Sequence, residues 1–174
     1  MMISIIRATE QDFKTIAGIG NIAVEETHRD SSPAADMKAY LQKNYNNEAI
    51  KEELKNSENI YHIIIYNNTP IGFSKIVLNE VHPNIEQQHT TKLDRIYLLK
   101  EYFGLKLGIQ LLKANIEFCK AHQQSGIWLF TWVENKRAIS FYAKAGFKII
   151  GIHQFKVTDA HFNDNYQMFL NLKE

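Results

Sequence analysis

Residues 135–147 read NKRAISFYAKAGF, and this stretch carries the strongest fold signal in the chain. Asn135 is a good residue to begin a helix, because its side chain can accept a hydrogen bond from a backbone amide of the first turn. Gly146 suits the left-handed conformation that commonly ends a helix. The stretch therefore predicts a short capped helix over residues 135–145. The apolar run at 127–133, just before it, predicts a buried strand.

A strand, a glycine-containing turn and a second helix are predicted upstream, within residues 93–122. Such a turn leaves unpaired backbone N–H groups at the helix N-terminus, where they and the helix dipole attract phosphate. Gly104 and Gly108 allow backbone and ligand to approach closely, and Lys100 and Lys106 add positive charge. The same pattern also occurs in simple strand-to-helix packing, so by itself it does not establish a phosphate site.

Alternating strand and helix signals continue along the rest of the chain. The predicted strands lie at residues 3–7, 60–66, 71–78, 93–99, 127–133, 147–157 and 166–172. The predicted helices lie at about 9–26, 36–43, 47–55, 107–122 and 135–145, with loops at 28–35, 80–90 and 158–165. This order predicts an α/β fold with a mixed, mostly antiparallel central sheet and helices on both faces. We expect a single domain over residues 1–174.

Composition excludes several classes of protein. The chain has 174 residues, 45% hydrophobic and 22% charged, which suits one folded domain. No apolar run approaches the ~20 residues that cross a bilayer, and the N-terminus does not resemble a signal peptide. A formal net charge of +1 is small for a protein that binds nucleic acid. The single cysteine, Cys119, excludes an internal disulfide and fits a reducing compartment. We expect a cytoplasmic protein with neither a membrane nor a nucleic-acid partner.

The pattern N-x-x-A-x-x-F-Y-x-x-x-G-F at residues 135–147 resembles the GCN5-related N-acetyltransferase (GNAT) family. The stretch IYLLKEYFGLKLGIQLL at 96–112 resembles that family's loop for the pyrophosphate of acetyl-coenzyme A. Within the family, SSPAADMKAYL (31–41) and IWLFTW (127–132) look like the bacterial spermidine/spermine N-acetyltransferases of the PaiA type. The resemblance implies the GNAT acyl-CoA N-acyltransferase fold, acetyl-CoA as cosubstrate without a metal, and a small-molecule amine, a polyamine, as acceptor.

One departure from the family pattern concerns the pyrophosphate loop, which in the family reads Q/R-x-x-G-x-G/A. Here Phe103 replaces the polar first residue and Lys106 replaces the first motif glycine, whereas Gly108 is kept. Losing one side-chain contact to a phosphate costs about 1–3 kcal/mol if nothing compensates. We expect Lys106 to compensate in part by facing the pyrophosphate.

The resemblance also implies a role for individual residues. Tyr142 becomes the general acid that protonates the thiolate of coenzyme A, with core packing as the alternative role. Asn135 holds the pantetheine arm, and a backbone N–H near residues 96–98 stabilises the oxyanion. The residues expected to contact acetyl-CoA are Ile96, Tyr97, Leu98, Phe103, Gly104, Leu105, Lys106, Leu107, Gly108, Ile109, Asn135, Ala138, Tyr142 and Lys144.

The general base and the acceptor stay open at this stage. Asp94 and Glu134 are candidate bases, because they lie near the ends of the two strands expected to flank the acetyl group. The carboxylates of Glu25, Glu26 and Asp30 either attract a polycation or form an ordinary solvated face. Alternative functions are acetylation of a protein N-terminus or another small amine, or non-catalytic binding of CoA.

Several other residues have structural interpretations. Cys119 shares a helical face with apolar residues, so we expect a buried small hydrophobe. The seven histidines show no ligand-type spacing, so no metal site is expected. Trp132 is assigned to core packing, with the acceptor channel as the alternative. The last two strands present a sheet edge that could pair with another subunit, which makes a homodimer possible.

Overall fold

The computed structural model describes residues 2–173, which contain seven strands and five α-helices. The strands are β1 (Ile3–Arg7), β2 (Asn59–Tyr66), β3 (Thr69–Val77), β4 (Thr90–Leu98), β5 (Gly126–Trp132), β6 (Lys148–Lys156) and β7 (Phe162–Asn171). The helices are α1 (Phe13–His28), α2 (Ala34–Asn44), α3 (Asn47–Lys55), α4 (Leu107–Ala121) and α5 (Lys136–Lys144). Short 3-10 turns at Glu10–Asp12 and Lys100–Tyr102 precede α1 and follow β4.

The strands form one sheet in the order β1-β2-β3-β4-β5-β7-β6. Every neighbouring pair is antiparallel except β4 and β5. Those two strands are parallel because α4 connects them as a crossover helix. The predicted mixed, mostly antiparallel sheet is therefore confirmed.

Helices cover both faces of the sheet, as predicted. Successive side chains along β2 point to opposite faces, and both sets are mostly apolar. Tyr61 and Ile63 pack in one core cluster with Ile16 of α1, whereas Ile60 packs in a second cluster with Leu112 of α4. Each fully buried aliphatic side chain contributes about 1.5–3 kcal/mol to folding. The sheet is thus held between α1–α3 on one side and α4 and α5 on the other.

A bulge and a divergence of strands distinguish the middle of the sheet. Lys75 of β3 faces Arg95, but the next residue, Ile76, faces Leu93. Asp94 is therefore an extra residue on β4, and such bulges bend a strand and increase its twist. β4 pairs with β5 only along Thr90–Lys92, although β5 stays paired with β7 through Trp132. Beyond Lys92 the two strands separate, which opens the sheet.

Two predicted loops contain strand residues, so those boundaries were wrong. β4 begins at Thr90, within the predicted loop 80–90, because Thr90 and Thr91 are fully buried and pair with β5. The Thr90 hydroxyl donates to the carbonyl of Glu80 at 2.8 Å, which satisfies this polar group inside the protein. β7 begins at Phe162 rather than 166, because Phe162 and the polar residues 163–165 pair with β6 across a half-exposed hairpin.

Two other boundaries differ by two residues. The turn between β2 and β3 comprises Asn67 and Asn68, whose φ angles are 47° and 68°. Positive φ at both positions is the hairpin geometry that asparagine tolerates, so Thr69 and Pro70 already belong to β3. Helix α2 begins at Ala34, directly after Pro33.

The outer strand β6 has one free edge and several exposed apolar side chains. Ile149 is 50% exposed and Ile152 is 68% exposed. An unpaired edge of this kind offers backbone groups to another chain, so a homodimer stays a prediction. Between residues 2 and 173, no helix is both long and apolar enough to cross a membrane.

Candidate functional site

A cleft of about 1080 Å³ opens where β4 and β5 separate. One end is lined by residues 102–104 and 106–109 and by α5, and we call it the loop end. The other end is lined by the α1–α2 region and by the tip of the β6–β7 hairpin, and we call it the hairpin end. His161 of the hairpin contacts the backbone oxygen of Ser31 at 3.0 Å, which joins the two walls of the hairpin end. The cleft therefore passes through the opening in the sheet.

The loop end presents the N-terminus of α4. Gly104 and Lys106 both adopt positive φ, at 83° and 58°. The left-handed conformation costs a residue with a side chain roughly 1–2 kcal/mol. Lys106 nevertheless adopts this conformation, directly before α4 begins at Leu107. The first backbone N–H groups of a helix have no helical partner. They make this end suitable for an anion.

Arg137 lies beside the loop and was missed by the sequence analysis. Its guanidinium carbon is 3.6 Å from the ring centroid of Phe103, and both side chains line the cleft. A cation stacked on an aromatic face is favourable, so Phe103 holds Arg137 at the loop end. Phe103, which departs from the family pattern, therefore stacks against a positively charged side chain. Only the location of Arg137 at the start of a helix that follows the loop could have suggested this contact.

The edge of β4 that faces the opening has free backbone groups. Successive N–H groups of a strand point to opposite edges. Along Ile96–Leu98 one edge is paired with β3, from Ser74 to Gly72, while the other edge has no partner strand. A backbone N–H that points into the cleft can donate a hydrogen bond to an oxyanion.

Tyr142 of α5 lies in the wall of the cleft. The residue is 8% exposed and packs edge-to-face against Phe141 and Phe147, with ring centroids 5.2 and 5.6 Å away. Burial raises the pKa of its hydroxyl above the usual 10, which keeps the phenol protonated at neutral pH. The geometry is compatible with both roles considered for Tyr142, because the ring is packed while the residue borders the cleft.

The ends of α5 form as the sequence predicts. The Asn135 side chain accepts a hydrogen bond from the Ala138 amide at 3.1 Å, so it caps the helix. Gly146 follows the helix with φ of 98°. Because these two local features fix where α5 begins and ends, they also fix which of its residues face the cleft.

Asp94, a candidate base, is held by cations. Its carboxylate lies 3.1 Å from Lys75 Nζ and 2.9 Å from Lys92 Nζ. Burial by itself raises the pKa of Asp94, but Lys75, Lys92 and Arg95 together lower it to about 2. A carboxylate with so low a pKa is a weak base at neutral pH. Asp94 lines the cleft, yet its environment favours a charge-pairing role.

Glu134 and the three helix-end carboxylates lie away from the cleft lining. The Glu134 side chain is 62% exposed and lies 3.7 Å from Lys136 Nζ. Glu25 pairs with Arg29 at 3.7 Å, and the Glu26 carboxylate accepts a hydrogen bond from the Lys100 amide at 3.1 Å. Neither these residues nor Asp30 are among those that border the cleft.

His28 is a second residue that the sequence analysis did not place in the site. It ends α1 and lines the cleft between Tyr97 of β4 and Trp132 of β5, with ring centroids 6.2 and 6.4 Å away. Burial lowers its pKa to about 4, so the imidazole is neutral at neutral pH. Trp132 likewise borders the cleft, in agreement with the alternative weighed for it.

Cys119 is fully buried on α4, and burial raises the pKa of its thiol to about 11. The thiolate is the reactive form of cysteine, so this residue acts as a small core hydrophobe, as predicted. Over the described part of the chain, no three His, Cys, Asp or Glu residues form a group that could hold a metal ion.

Comparison with known proteins assigns the family. The family model for the acetyltransferase (GNAT) family matches residues 23–147, which include β4, α4, β5 and α5. The chain belongs to the GNAT family. This GNAT chain is therefore an acetyltransferase, and the sheet with separated β4 and β5 is the GNAT fold.

Relatives of this GNAT chain carry N-acetyltransferase names. One is an N-acetyltransferase from Lactobacillus delbrueckii subsp. lactis, in the pepI 3′ region, 24% identical over 93% of this chain and 94% of the relative. Another, MJ1207 of Methanocaldococcus jannaschii, is 28% identical over 65% of this chain and 50% of the relative.

Solved structures show the same GNAT fold. The PaiA N-acetyltransferase from Thermoplasma acidophilum, solved in complex with coenzyme A, superposes with a TM-score of 0.78 at 22% identity, covering 98% of this chain and 99% of that chain. The ribosomal-protein-S18-alanine N-acetyltransferase from Escherichia coli gives 0.73 at 17% identity, covering 99% and 96%.

The loop end of this GNAT chain fits acetyl-CoA. Free helix amides, Arg137 and Lys106 are suitable partners for phosphates. All but one of the residues expected at the cofactor border the cleft, and the exception is Leu105, which is 50% exposed. The individual contacts stay predictions.

Proposed function

We propose that this chain transfers the acetyl group of acetyl-CoA directly to the nitrogen of a small primary amine. The observation that carries the proposal is the continuous cleft, which runs from the α4 N-terminus through the opening between β4 and β5 to the hairpin end. Such a cleft lets a thioester and an amine meet at one point. Both substrates would be bound together, so no covalent acetyl-enzyme is required.

Each step of the transfer has a proposed partner in the cleft. The neutral amine attacks the thioester carbonyl, and an N–H of β4 stabilises the negative oxygen of the tetrahedral intermediate. The intermediate then collapses, the carbon–sulfur bond breaks, and the Tyr142 hydroxyl gives its proton to the departing thiolate. The amine nitrogen releases its proton to a base, which leaves an amide and CoA with its thiol.

Three residues are proposed for the base, and His28 is supported best. Asp94 is paired with cations, and Glu134 is exposed outside the cleft lining. His28 borders the opening beside Tyr97 and Trp132, and its neutral ring can accept a proton directly or through water. Its lowered pKa makes it a weak base, so the preference for His28 rests on its location in the cleft and on the absence of a cation partner among the described residues. We expect His28→Gln to lower kcat by about tenfold or more. A larger loss for Glu134→Gln than for His28→Gln would contradict this order.

The polyamine acceptor implied by the sequence resemblance stays a proposal. It is supported by the similarity of the fold to the PaiA N-acetyltransferase. It lacks support from charge, because Glu25, Glu26 and Asp30 do not border the cleft. A cytoplasmic location is likewise proposed, from the unpaired cysteine.

The test is an assay of thiol release from acetyl-CoA with a panel of amines. It includes spermidine, amino acids and short peptides with a free N-terminus, and calorimetry measures CoA binding in parallel. We expect thiol release with at least one small amine. Binding of CoA without release for any amine would identify a non-catalytic binding module. Release with peptides alone would favour acetylation of protein N-termini.

A further inference from the structure

We propose that the acceptor is a primary amine that also carries a carboxylate, and that Lys92 and Arg95 bind this carboxylate at the hairpin end of the cleft. This inference rests on the proposed amine acetyltransferase function and specifies its substrate class. Two independent features carry it, namely an unbalanced cluster of charges and a set of buried polar atoms without partners.

The charge cluster joins β3, β4 and α3. Lys75 lies 2.7 Å from a Glu53 oxygen and 3.1 Å from an Asp94 oxygen, and Lys92 lies 2.9 Å from the other Asp94 oxygen. Arg95 donates to Glu53 at 2.9 Å. Three cations therefore share two carboxylates. Their side chains are 11–27% exposed, so the surplus positive charge is only partly hydrated.

A surplus charge in a partly buried cluster is costly unless an opposite charge approaches it. Among the five residues, Lys92, Asp94 and Arg95 border the cleft. Lys92 has one carboxylate partner within the described residues, and an ammonium group has three N–H donors. The free donors of Lys92 can bind a carboxylate that enters the cleft. An additional ammonium group would meet repulsion there.

Unpartnered polar atoms border the same end. Tyr45 is fully buried, its hydroxyl has no hydrogen-bond partner, and its ring lies 4.8 Å below the Arg95 guanidinium. Burial raises the pKa of Tyr45, so the hydroxyl stays a donor. Asn165 is 8% exposed, and its Oδ1 accepts no hydrogen bond. Both residues border the cleft. A carboxylate could accept from Tyr45, and an amine could donate to Asn165.

The location of Asn165 agrees with an acceptor whose amine points towards the opening in the sheet. It pairs with Trp132 at the end of β5, beside the opening in the sheet. An amine there lies near the region expected for the thioester. Tyr40 and Phe155, whose ring centroids are 6.3 Å apart, border the hairpin end. Their rings would contact an apolar body between the amine and the carboxylate.

A polyamine fits these charges less well. Amines with a pKa of about 10.4 are protonated at neutral pH, so a polyamine brings several positive charges. At the rim, Lys156 is paired with Asp159 at 2.6 Å, whereas no carboxylate lies within ion-pair distance of Lys43 in the described structure. Among the described residues, the carboxylates that border the cleft are Asp94 and Asp159, and each is paired with a lysine. A polycation would therefore find no unpaired carboxylate among these lining residues.

The experiment compares amines that differ only in the carboxylate. Thiol release is measured for 4-aminobutyrate against 4-aminobutyramide, and for phenylalanine against phenylalaninamide, with spermidine alongside. The readout is the ratio of kcat/KM for acid over amide, compared between variants so that differences in amine pKa cancel. We expect Lys92→Gln to lower this ratio by about tenfold, chiefly through KM of the acid. Lys92→Arg keeps the charge and should keep most of the preference.

Lys113→Gln is the matched control, because Lys113 is exposed on α4 and lies outside the cleft lining. It should leave the ratio unchanged. An unchanged ratio in Lys92→Gln, or a higher kcat/KM for spermidine than for every acid, would overturn the inference while leaving the proposed function intact. If CoA binds and no amine is consumed, the proposed function fails, and this inference fails with it.

Discussion

At the scale of single residues, Tyr142 offers the sharpest test of the proposed chemistry. Tyr142→Phe removes the proton donor and keeps the packing against Phe141 and Phe147. We expect kcat to fall about 100-fold, with little change in the KM of acetyl-CoA. The matched control is Tyr166→Phe, since Tyr166 lies outside the cleft lining. Full activity of Tyr142→Phe would assign the residue to core packing alone.

The pyrophosphate contacts give a second prediction for single residues. Arg137→Ala removes the guanidinium that stacks on Phe103, and Lys106→Ala removes the lysine that directly precedes α4. A charge-assisted hydrogen bond to a phosphate contributes about 1.5–3 kcal/mol, so we expect each variant to raise the KM of acetyl-CoA by about tenfold or more. Lys113→Ala serves as the control for a general loss of positive charge. An unchanged KM in both variants would show that helix amides bind the pyrophosphate unaided.

Sequence reasoning located residues whose signal is local and missed those whose partner is distant in the chain. Asn135 and Gly146 act on their own helix, so their roles follow from neighbouring residues. Arg137 contacts Phe103, and His28 contacts Tyr97 and Trp132. These partners lie on other elements of the fold. No periodicity or spacing encodes those contacts.

At the scale of elements, Asn135 at the start of α5 is expected both to cap the helix and to contact the pantetheine arm of acetyl-CoA. The Asn135 side-chain oxygen caps the helix, which leaves its NH₂ group available for the pantetheine arm. Asn135→Ala should lower the free energy of unfolding by about 1 kcal/mol. Asn135→Asp keeps a capping oxygen and loses the NH₂ donor.

The two variants separate stability from binding. If the NH₂ group contacts pantetheine, Asn135→Asp should be as stable as the parent in urea unfolding, yet its KM for acetyl-CoA should rise. A KM equal to that of the parent would restrict Asn135 to helix capping.

The strands were predictable where apolar residues alternate or run continuously, as in β2 and β5. β4 begins with Thr90–Lys92, and β7 begins with Phe162 followed by three polar residues, so neither start shows a run of apolar residues. These residues form strands because they pair with β5 and β6. A bulge at Asp94 lies just beyond the last pair between β4 and β5, and the cation partners of Asp94, Lys75 and Lys92, lie on two strands. That arrangement requires the assembled sheet.

At the scale of the whole molecule, stability should depend on pH through Asp94. Its pKa in the folded protein is about 2, below the ordinary 3.8, because Lys75, Lys92 and Arg95 outweigh the effect of burial. A lowered pKa means that the folded state favours the ionised carboxylate. The stabilisation is complete above pH ~4 and is lost as the pH falls towards ~2.

We expect the free energy of unfolding to fall by on the order of 2 kcal/mol from this residue over that pH range. Asp94→Asn should be less stable at neutral pH and should show a shallower decline in acid. Asp159→Asn is the control, because Asp159 pairs with Lys156 on the exposed surface. Denaturant unfolding at a series of pH values measures both. Equal slopes for the parent and Asp94→Asn would contradict the assignment.

The opening between β4 and β5 has a consequence for inhibitor design. In the proposed function the nucleotide and the amine approach the reacting carbon from opposite ends of one passage, so a single compound should span both subsites. Such a conjugate would join the sulfur of CoA to the amine through a two-carbon spacer. Tethering raises the local concentration of each half for its own subsite. The conjugate should therefore bind far more tightly than either fragment, and the acid-bearing version should be the most potent.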